Sequence, residues 1–428
     1  MADTLGPYPQ FRLNFEQQGK RAKELLKAAR AGEPEALSRF RSPPRLAEAQ
    51  YLIARELRFD SWASLKRHIG EMTLAYEAMN ASVLDGDLRT LHIRCGHDLQ
   101  ASLKEAGFSG DYCVDIYPYI IGPVREGLGY LEQRARHIVD CYGDQFDPPL
   151  EYEGQLRGLE DKERELHDSA DYQRVVLWFE HDVTDQLSLI HLLGHYARHR
   201  RPLRLELVNI GDFPGAGRFS GLGELPPEAL RMLWKTRKPV SAAQLRLGLD
   251  AWRALVDPDP RPLAAIMRGN TPALPLLAPA LRRHLRELPS AANGLSLTEE
   301  LALTLMAEPL PDWGGTVNLG KIYRTLHRSL DPLPGQGDLH VRDRVLNMEG
   351  ASARVFERRT GVGPDGKSQP PWTDLLSITE LGRAVLKGDA DFMSLTPPNR
   401  WVGGVQIGAG TPDWRWNDKA RSAVRLDS

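Results

Sequence analysis

Apolar positions along the chain change their spacing twice, and each change predicts a different kind of structure. Over residues 12–79 the spacing is helical: Leu25, Leu26, Ala29 and Leu37 make one stripe, and Leu46, Ala49, Leu52, Ile53 and Leu57 make a second. Ser42-Pro43-Pro44 separates the two, and Asp60-Ser61 is a cap for a further helix over 62–69. From Thr90 the pattern switches to short apolar runs at 91–95, 112–117, 175–179 and 203–210. Helical stretches at 99–106, across 130–167 and at 182–198 lie between them, an alternation that predicts βαβ units and a Rossmann-like parallel sheet. Beyond Pro226 helical spacing returns at 227–234, 242–255, 262–267 and 276–285. Three more helices, at 298–306, 319–330 and 339–346, precede strands at 354–358 and 374–378 that flank a Gly/Pro-rich stretch. That order predicts a winged-helix-like unit with a two-stranded wing. The tail, with RWVGGVQIG and DWRWND, reads as one or two strands added to a sheet.

The expected organisation is therefore a helical N-terminal module (1–85), a Rossmann-like α/β domain (86–225), a helical segment (226–296), a winged-helix-like unit (297–392) and a tail of strands (393–428). A length of 428 residues agrees with more than one core. The 55 Lys+Arg against 57 Asp+Glu give a net charge of -2, which excludes nucleic-acid or membrane binding by bulk charge and leaves room for a local patch. Arg outnumbers Lys 43 to 12, a bias that fits a high-GC bacterial genome. The 3 cysteines, Cys95, Cys113 and Cys141, form no C-x-x-C pair, as expected of a reducing cytoplasm. The start MADTLGPYPQF carries no secretory pattern, and no apolar run reaches the ~18 residues that span a bilayer. A cytoplasmic protein without a membrane partner is expected.

In an open α/β sheet, ligands bind beyond the carboxyl ends of the strands. Gly96, His97 and Asp98 follow the first predicted strand, and Asp115 sits in the second, ahead of Tyr119 and a loop carrying Arg125. Glu180, His181 and Asp182 end the third, with Asp185 and Gln186 behind them, and Asp212 follows the fourth. Parallel strands would bring these groups to one edge. Converging carboxylates with two histidines suit acid–base chemistry, with or without a divalent metal. His181, Glu180, Asp182 and Asp98 are the expected catalytic groups. Gly96, His97, Asp115, Arg125, Gln186, Asp212, Arg218 and Arg400 are expected to hold a small polar or phosphorylated ligand, arginines meeting an anionic group. No metal-ligand set or cofactor is assigned. Helix capping also explains Asp98 and Asp182, since caps belong directly after strands.

Other signals are weaker. The GAGRFSGLG loop has glycines enough to wrap an anion, yet it follows the fourth strand and not the first, so a ligand-covering loop is the better reading. His191, His195 and His199 share one helix face; without the glutamate of H-E-x-x-H they read as a solvated basic face. Cys95 beside His97 reads as a packed strand residue before a nucleophile. Between Leu319 and Lys367 there are nine Lys/Arg against six Asp/Glu. Arg342 and Arg344 on the third helix, with Arg358, Arg359 and Lys367 at the wing, are where a DNA or protein partner would be met, although Asp338, Asp343 and Asp365 oppose phosphate.

The segments LHIRCGHDLQASLKEAG, IYPYIIGPVREG, VVLWFEHDVTDQLSLIHLL, GRFSGLGEL, RHLRELPSAANGLSLTEE, SITELGRAVLKG and RWVGGVQIG occur in that order. Together they resemble a family of uncharacterised bacterial proteins with an N-terminal domain of unknown function. The resemblance covers about residues 90–417 and includes Gly96, Asp98, Gly122, Pro123, Trp178, Asp182, Gln186 and Trp401. It implies an intact domain order and no particular reaction. Residues 22–69 resemble a helical module at the front of some bacterial ankyrin-type proteins, although no ~33-residue repeat follows. Two functions remain in view: an α/β ligand-binding protein or enzyme, and a regulatory or adaptor protein that contacts DNA or a partner through the winged-helix-like unit.

Overall fold

A computed structural model describes residues 10–79, 81–115, 118–215, 219–361 and 371–426. Arg218, Tyr117, Asp365 and Lys367 lie outside the described residues. Four helices come first: α1 (Phe15–Arg30), α2 (Pro34–Ser38), α3 (Leu46–Glu56) and α4 (Trp62–Glu77). Strands then alternate with helices through β1 (Thr90–Arg94), α5 (Gln100–Glu105), β2 (Asp111–Val114), α6 (Tyr130–Tyr142), α7 (Tyr152–Asp168), β3 (Arg174–Glu180), α8 (Val183–Arg198), β4 (Arg204–Ile210), α9 (Pro227–Trp234) and β5 (Lys238–Pro239). Next come α10 (Ala242–Val256), α11 (Arg261–Arg268), α12 (Leu277–Leu285) and α13 (Leu297–Ala307). They lead to β6 (Val317–Asn318), α14 (Leu319–Thr325), α15 (Asp338–Asn347), β7 (Phe356–Arg359), β8 (Leu375–Ile378) and α16 (Glu380–Lys387). The chain closes with β9 (Arg400–Val402), β10 (Val405–Ile407), β11 (Trp414–Asn417) and β12 (Ser422–Arg425).

The fold is mixed α/β, and the chain divides into two compact units that cut across the boundaries expected from the sequence. The first unit takes residues 1–115, 169–180 and 201–240. Its sheet has the order β2-β1-β3-β4-β5. The first four strands are parallel, with Leu91 level with Asp111 and Val175, and Val175 level with Leu205; β5 runs antiparallel to β4. β3 is buried along its whole length, as a central parallel strand must be. Val176, Trp178 and Val208 pack with Leu103 and Phe108 and with Leu230 and Trp234 of α9. Ser61 caps α4 through a reciprocal pair with Ser64, the cap read from the sequence. A buried polar chain runs beneath β1. Trp178 Nε1 donates to His92 Nδ1 at 3.1 Å, and His92 Nε2 donates to Asp85 Oδ2 at 2.9 Å. Asp85 also accepts from the backbone N–H of Ser109 and of Gly110, each at 2.8 Å.

The second unit takes residues 116–168, 181–200 and 241–428. α8 is its central helix, buried from Val183 to Tyr196 except at Thr184, and it packs against α10 and α12. The approach to α10 is close because Gly248 carries no side chain: a Cβ there would lie 2.4 Å from Leu193 Cβ. Helices α13 to α16 and a sheet of order β6-β8-β7 enclose a separate apolar core around Leu303, Ile322, Val345, Val355 and Phe356. The expected pair of strands here is three, because the two-residue β6 is too short to leave a periodic signal. The helix expected over 319–330 changes winding at Thr325 and finishes as a wider turn over Leu326–Leu330. The tail departs further from expectation. It forms two separate hairpins, β9 with β10 and β11 with β12, and extends no larger sheet.

Among the described residues, no helix is long and apolar enough to cross a membrane.

Candidate functional site

The strand-end residues divide between the two units. In the first unit, Arg94 at the end of β1 is 4% exposed and forms the centre of a charged cluster. Its guanidinium donates to Asp98 at 3.1 and 3.2 Å and lies 3.2 Å from the Glu180 carboxylate. Glu180 is buried as well and accepts a short hydrogen bond from the Leu222 backbone N–H. The glycine-rich segment closes on this cluster. A Cβ at Gly221 would stand 2.4 Å from Glu180 Oε1, and one at Gly223 would stand 2.8 Å from Asp98 Oδ2. Leu222 and Leu225 on the same segment have no exposed surface. Both carboxylates are therefore paired with Arg94, and Glu180 is covered from within while Asp98 stays exposed, so the expectation of an acidic edge facing a ligand is corrected for Glu180. Apolar anchoring of the loop and the nearby arginine make this a packed corner.

Gly96 accepts a hydrogen bond at its carbonyl from the Tyr112 hydroxyl at 2.7 Å, while His97 is exposed with Nδ1 3.4 Å from Gln100 Oε1. Asp115 is buried, and its backbone N–H donates to the Arg94 carbonyl at 2.8 Å. Asp212 is exposed and paired with Arg58 at 3.0 Å.

In the second unit, Asp182 caps α8 by accepting from the Asp185 N–H at 2.8 Å, which is the capping role weighed in the sequence. Asp185 and Gln186 are buried within 1% of complete, and His181 is half-buried. Arg125 lies over the Trp401 ring, 5.2 Å from its centroid, held there by the fit of Gly122 against Trp401 and Gly403. Arg400 is buried. It donates to the Glu287 carbonyl at 2.7 Å and lies 3.5 Å from Glu299; burial lowers its pKa to about 10. It is a core residue and not a ligand arginine. The solvated histidine face holds for His199, which is exposed, and is corrected for the other two. His191 and His195 are each 7% exposed, because α8 is enclosed by helices. His191 Nδ1 is 2.7 Å from the Tyr119 hydroxyl, and its ring packs on Trp252. Burial lowers the two histidines to about 3 and about 4, so both are neutral near pH 7.

On α15, Arg344 is 2% exposed and faces Glu287 at 3.6 Å. This corrects the expectation that it meets DNA, since its guanidinium is enclosed by its own unit. Arg358 is held by Glu349 and Asp374, Arg342 is half-buried and Arg359 is exposed. Behind α15 lies an ionic network unforeseen in the sequence. Arg283 donates to Asp331 at 2.7 and 2.8 Å, to Glu287 at 2.7 Å and to Thr298 at 3.1 Å, all of them buried. Burial raises the Glu287 carboxyl, but Arg283, Arg344 and Thr298 more than offset this and hold it below the ordinary carboxylate range.

A concave site lies elsewhere in the second unit: a cavity of about 440 Å³ with a mainly apolar wall. Ile120 and Ile121 come from the turn that follows β2, Ile138 and Tyr142 from α6, Leu150 from the segment before α7, and Leu339 from α15. Polar groups are few. Arg134 is fully enclosed and donates to the carbonyls of Ile121, Pro123 and Pro118, which fixes the turn. Thr184 makes a short hydrogen bond to the Gly335 carbonyl, tying the start of α8 to the strand-free segment before α15. His137 sits on α6 beside Cys141, whose thiol burial raises to about 11 and keeps protonated. His340 completes the wall at 4% exposure. Sequence reasoning missed this pocket because its lining is ordinary helix and loop residues far apart in the chain. The one available hint was IYPYIIGP, an apolar run too rich in turn residues for a strand.

No protein-family model matches the chain, and no curated protein matches it.

Proposed function

We propose that this protein binds a small molecule with a largely apolar body in the cavity of its second unit. The observation that carries the reading is the wall itself: about 440 Å³, lined by isoleucines, leucine and aromatic rings with a few polar groups among them. That is the usual make-up of a small-molecule site. The lining segments include Ile120–Ile121, which begin six residues after β2 in sequence, and Thr184, which follows β3 by four residues. In this reading the parallel sheet of the first unit is a Rossmann-like layer. The ligand differs from the polar or phosphorylated one that the strand-end carboxylates implied. Helices α13 to α16 and the three short strands between 297 and 392 form, in the same reading, a winged-helix-like unit that contributes α15 to the wall. Contact with DNA through that unit ranks second, because Arg344 is buried and Arg358 is paired.

The test uses N-phenyl-1-naphthylamine, an uncharged probe that fluoresces in apolar surroundings. Saturable binding of one probe per chain is expected. Ile138→Trp, which fills the cavity, should weaken it by about tenfold or more, equal to roughly 1.4 kcal/mol. His97→Ala, at the exposed strand end of the first unit, should leave it unchanged. Binding that ignores Ile138→Trp would refute the proposal.

A further inference from the structure

We infer that His340 is the polar anchor of this pocket, and that the ligand presents to it an uncharged group able both to donate and to accept a hydrogen bond, such as a hydroxyl. The inference rests on the pocket reading above and names the chemistry of its ligand. His340 stands in the first turn of α15 and lines the cavity. Among the described residues, neither of its ring nitrogens has a hydrogen-bond partner. Buried polar groups are nearly always paired, and leaving two ring nitrogens without partners is costly. The wall of a ligand pocket is where such a vacancy in pairing has a use, because the ligand supplies what the protein does not.

The charge around His340 decides the kind of group. Three guanidiniums, Arg283, Arg344 and Arg400, stand behind it, and three carboxylates, Glu287, Asp331 and Glu299, are set against them. The network is balanced and leaves no surplus positive charge to draw an anion. Arg134, the arginine of the pocket wall, spends its donors on three backbone carbonyls. The acidic group that lines the cavity, Asp338, is exposed and would repel an anionic ligand. A cationic head would lose its hydration to an apolar wall with no buried carboxylate lining it. Burial and the neighbouring guanidiniums also keep the imidazole neutral, at a pKa of about 3. A neutral imidazole offers one donor and one acceptor, which is what a hydroxyl complements.

Three ligands with one apolar body separate the possibilities: naphthalene, 2-naphthol and 2-naphthoate, titrated calorimetrically into the full chain at pH 7. The expected order places 2-naphthol about fivefold tighter than naphthalene, the worth of one net hydrogen bond, with 2-naphthoate weakest. His340→Phe should bind naphthalene as before and lose the preference for 2-naphthol. His340→Gln, which keeps a donor and an acceptor, should retain the preference and covers the case in which the phenylalanine variant fails to fold. Equal binding of naphthalene and 2-naphthol, or a preference that survives in His340→Phe, overturns the role of His340 while the pocket reading stands. Tightest binding by 2-naphthoate overturns the uncharged head group. If none of the three binds, the pocket reading fails and takes this inference with it.

Discussion

Replacing Arg283 with methionine removes the centre of the buried ionic network and keeps most of the side-chain volume. Arg283 sends hydrogen bonds to Asp331, Glu287 and Thr298, and its side chain is 1% exposed. The variant would leave Asp331 buried opposite a thioether and would leave Glu287 with the hydrogen bond from the Thr298 hydroxyl at 2.6 Å and the 3.6 Å approach of Arg344. Breaking a buried pair by removing one partner costs roughly 3–5 kcal/mol, since the remaining charge keeps its desolvation penalty. That range is expected here because Asp331 loses its guanidinium partner while Glu287 keeps Thr298 and Arg344. The assay is native-state hydrogen exchange read on peptides from α12 and α13, with β1 and β3 of the first unit as reference. Opening free energies in α12 should fall by about 3–5 kcal/mol. Adding Asp331→Leu should recover part of the loss, because an apolar pair carries no stranded charge. A loss below about 1 kcal/mol in α12 would refute the reasoning, since that is the range of an exposed ion pair.

Four further outcomes follow from other parts of the molecule. Gly221→Ala should destabilise the first unit by about 1–3 kcal/mol in urea titrations, because its Cβ would meet Glu180 Oε1 at 2.4 Å. Asp85→Asn should flatten the acid side of the stability profile. Burial raises the Asp85 carboxyl, but hydrogen bonds from His92, Ser109 and Gly110 outweigh it and hold the group below its ordinary value. Its contribution is therefore complete above the unfolded value of about 3.9 and is lost as pH falls through the folded one, and the variant should lack that slope. Ile138→Trp should raise thermal stability or leave it unchanged while weakening probe binding about tenfold or more, since it fills space in a wall. Duplex DNA at low salt should show no binding that depends on Arg342 and Arg359. Salt-sensitive binding lost in an Arg342→Ala/Arg359→Ala variant would restore the adaptor reading.

The elements were legible where one periodicity runs uninterrupted. The run at 175–179 became β3, buried at every position, and 227–234 became α9 with both ends as read. Boundaries between units were not legible, because α6, α7 and α8 lie between strands in sequence yet cluster with the C-terminal helices. The strand-end rule located the right segments but misjudged the partners. Asp98 follows β1 and Glu180 ends β3, but Arg94, placed within an apolar run, pairs with both, and Glu180 is buried while Asp98 stays exposed. A charged residue inside a buried strand was the available warning. His340 and Arg283 carry no such mark. The importance of His340 comes from its burial, and that of Arg283 from its burial and from Asp331, 48 residues away, which spacing alone does not encode.

The most direct test of the central claim is differential hydrogen exchange with and without saturating N-phenyl-1-naphthylamine. The account predicts new protection in peptides covering 118–122, 134–142 and 335–340, and none at the first unit's strand ends around 95–99 and 219–224. Protection confined to the strand ends, with the segments of the second unit unchanged, would contradict it.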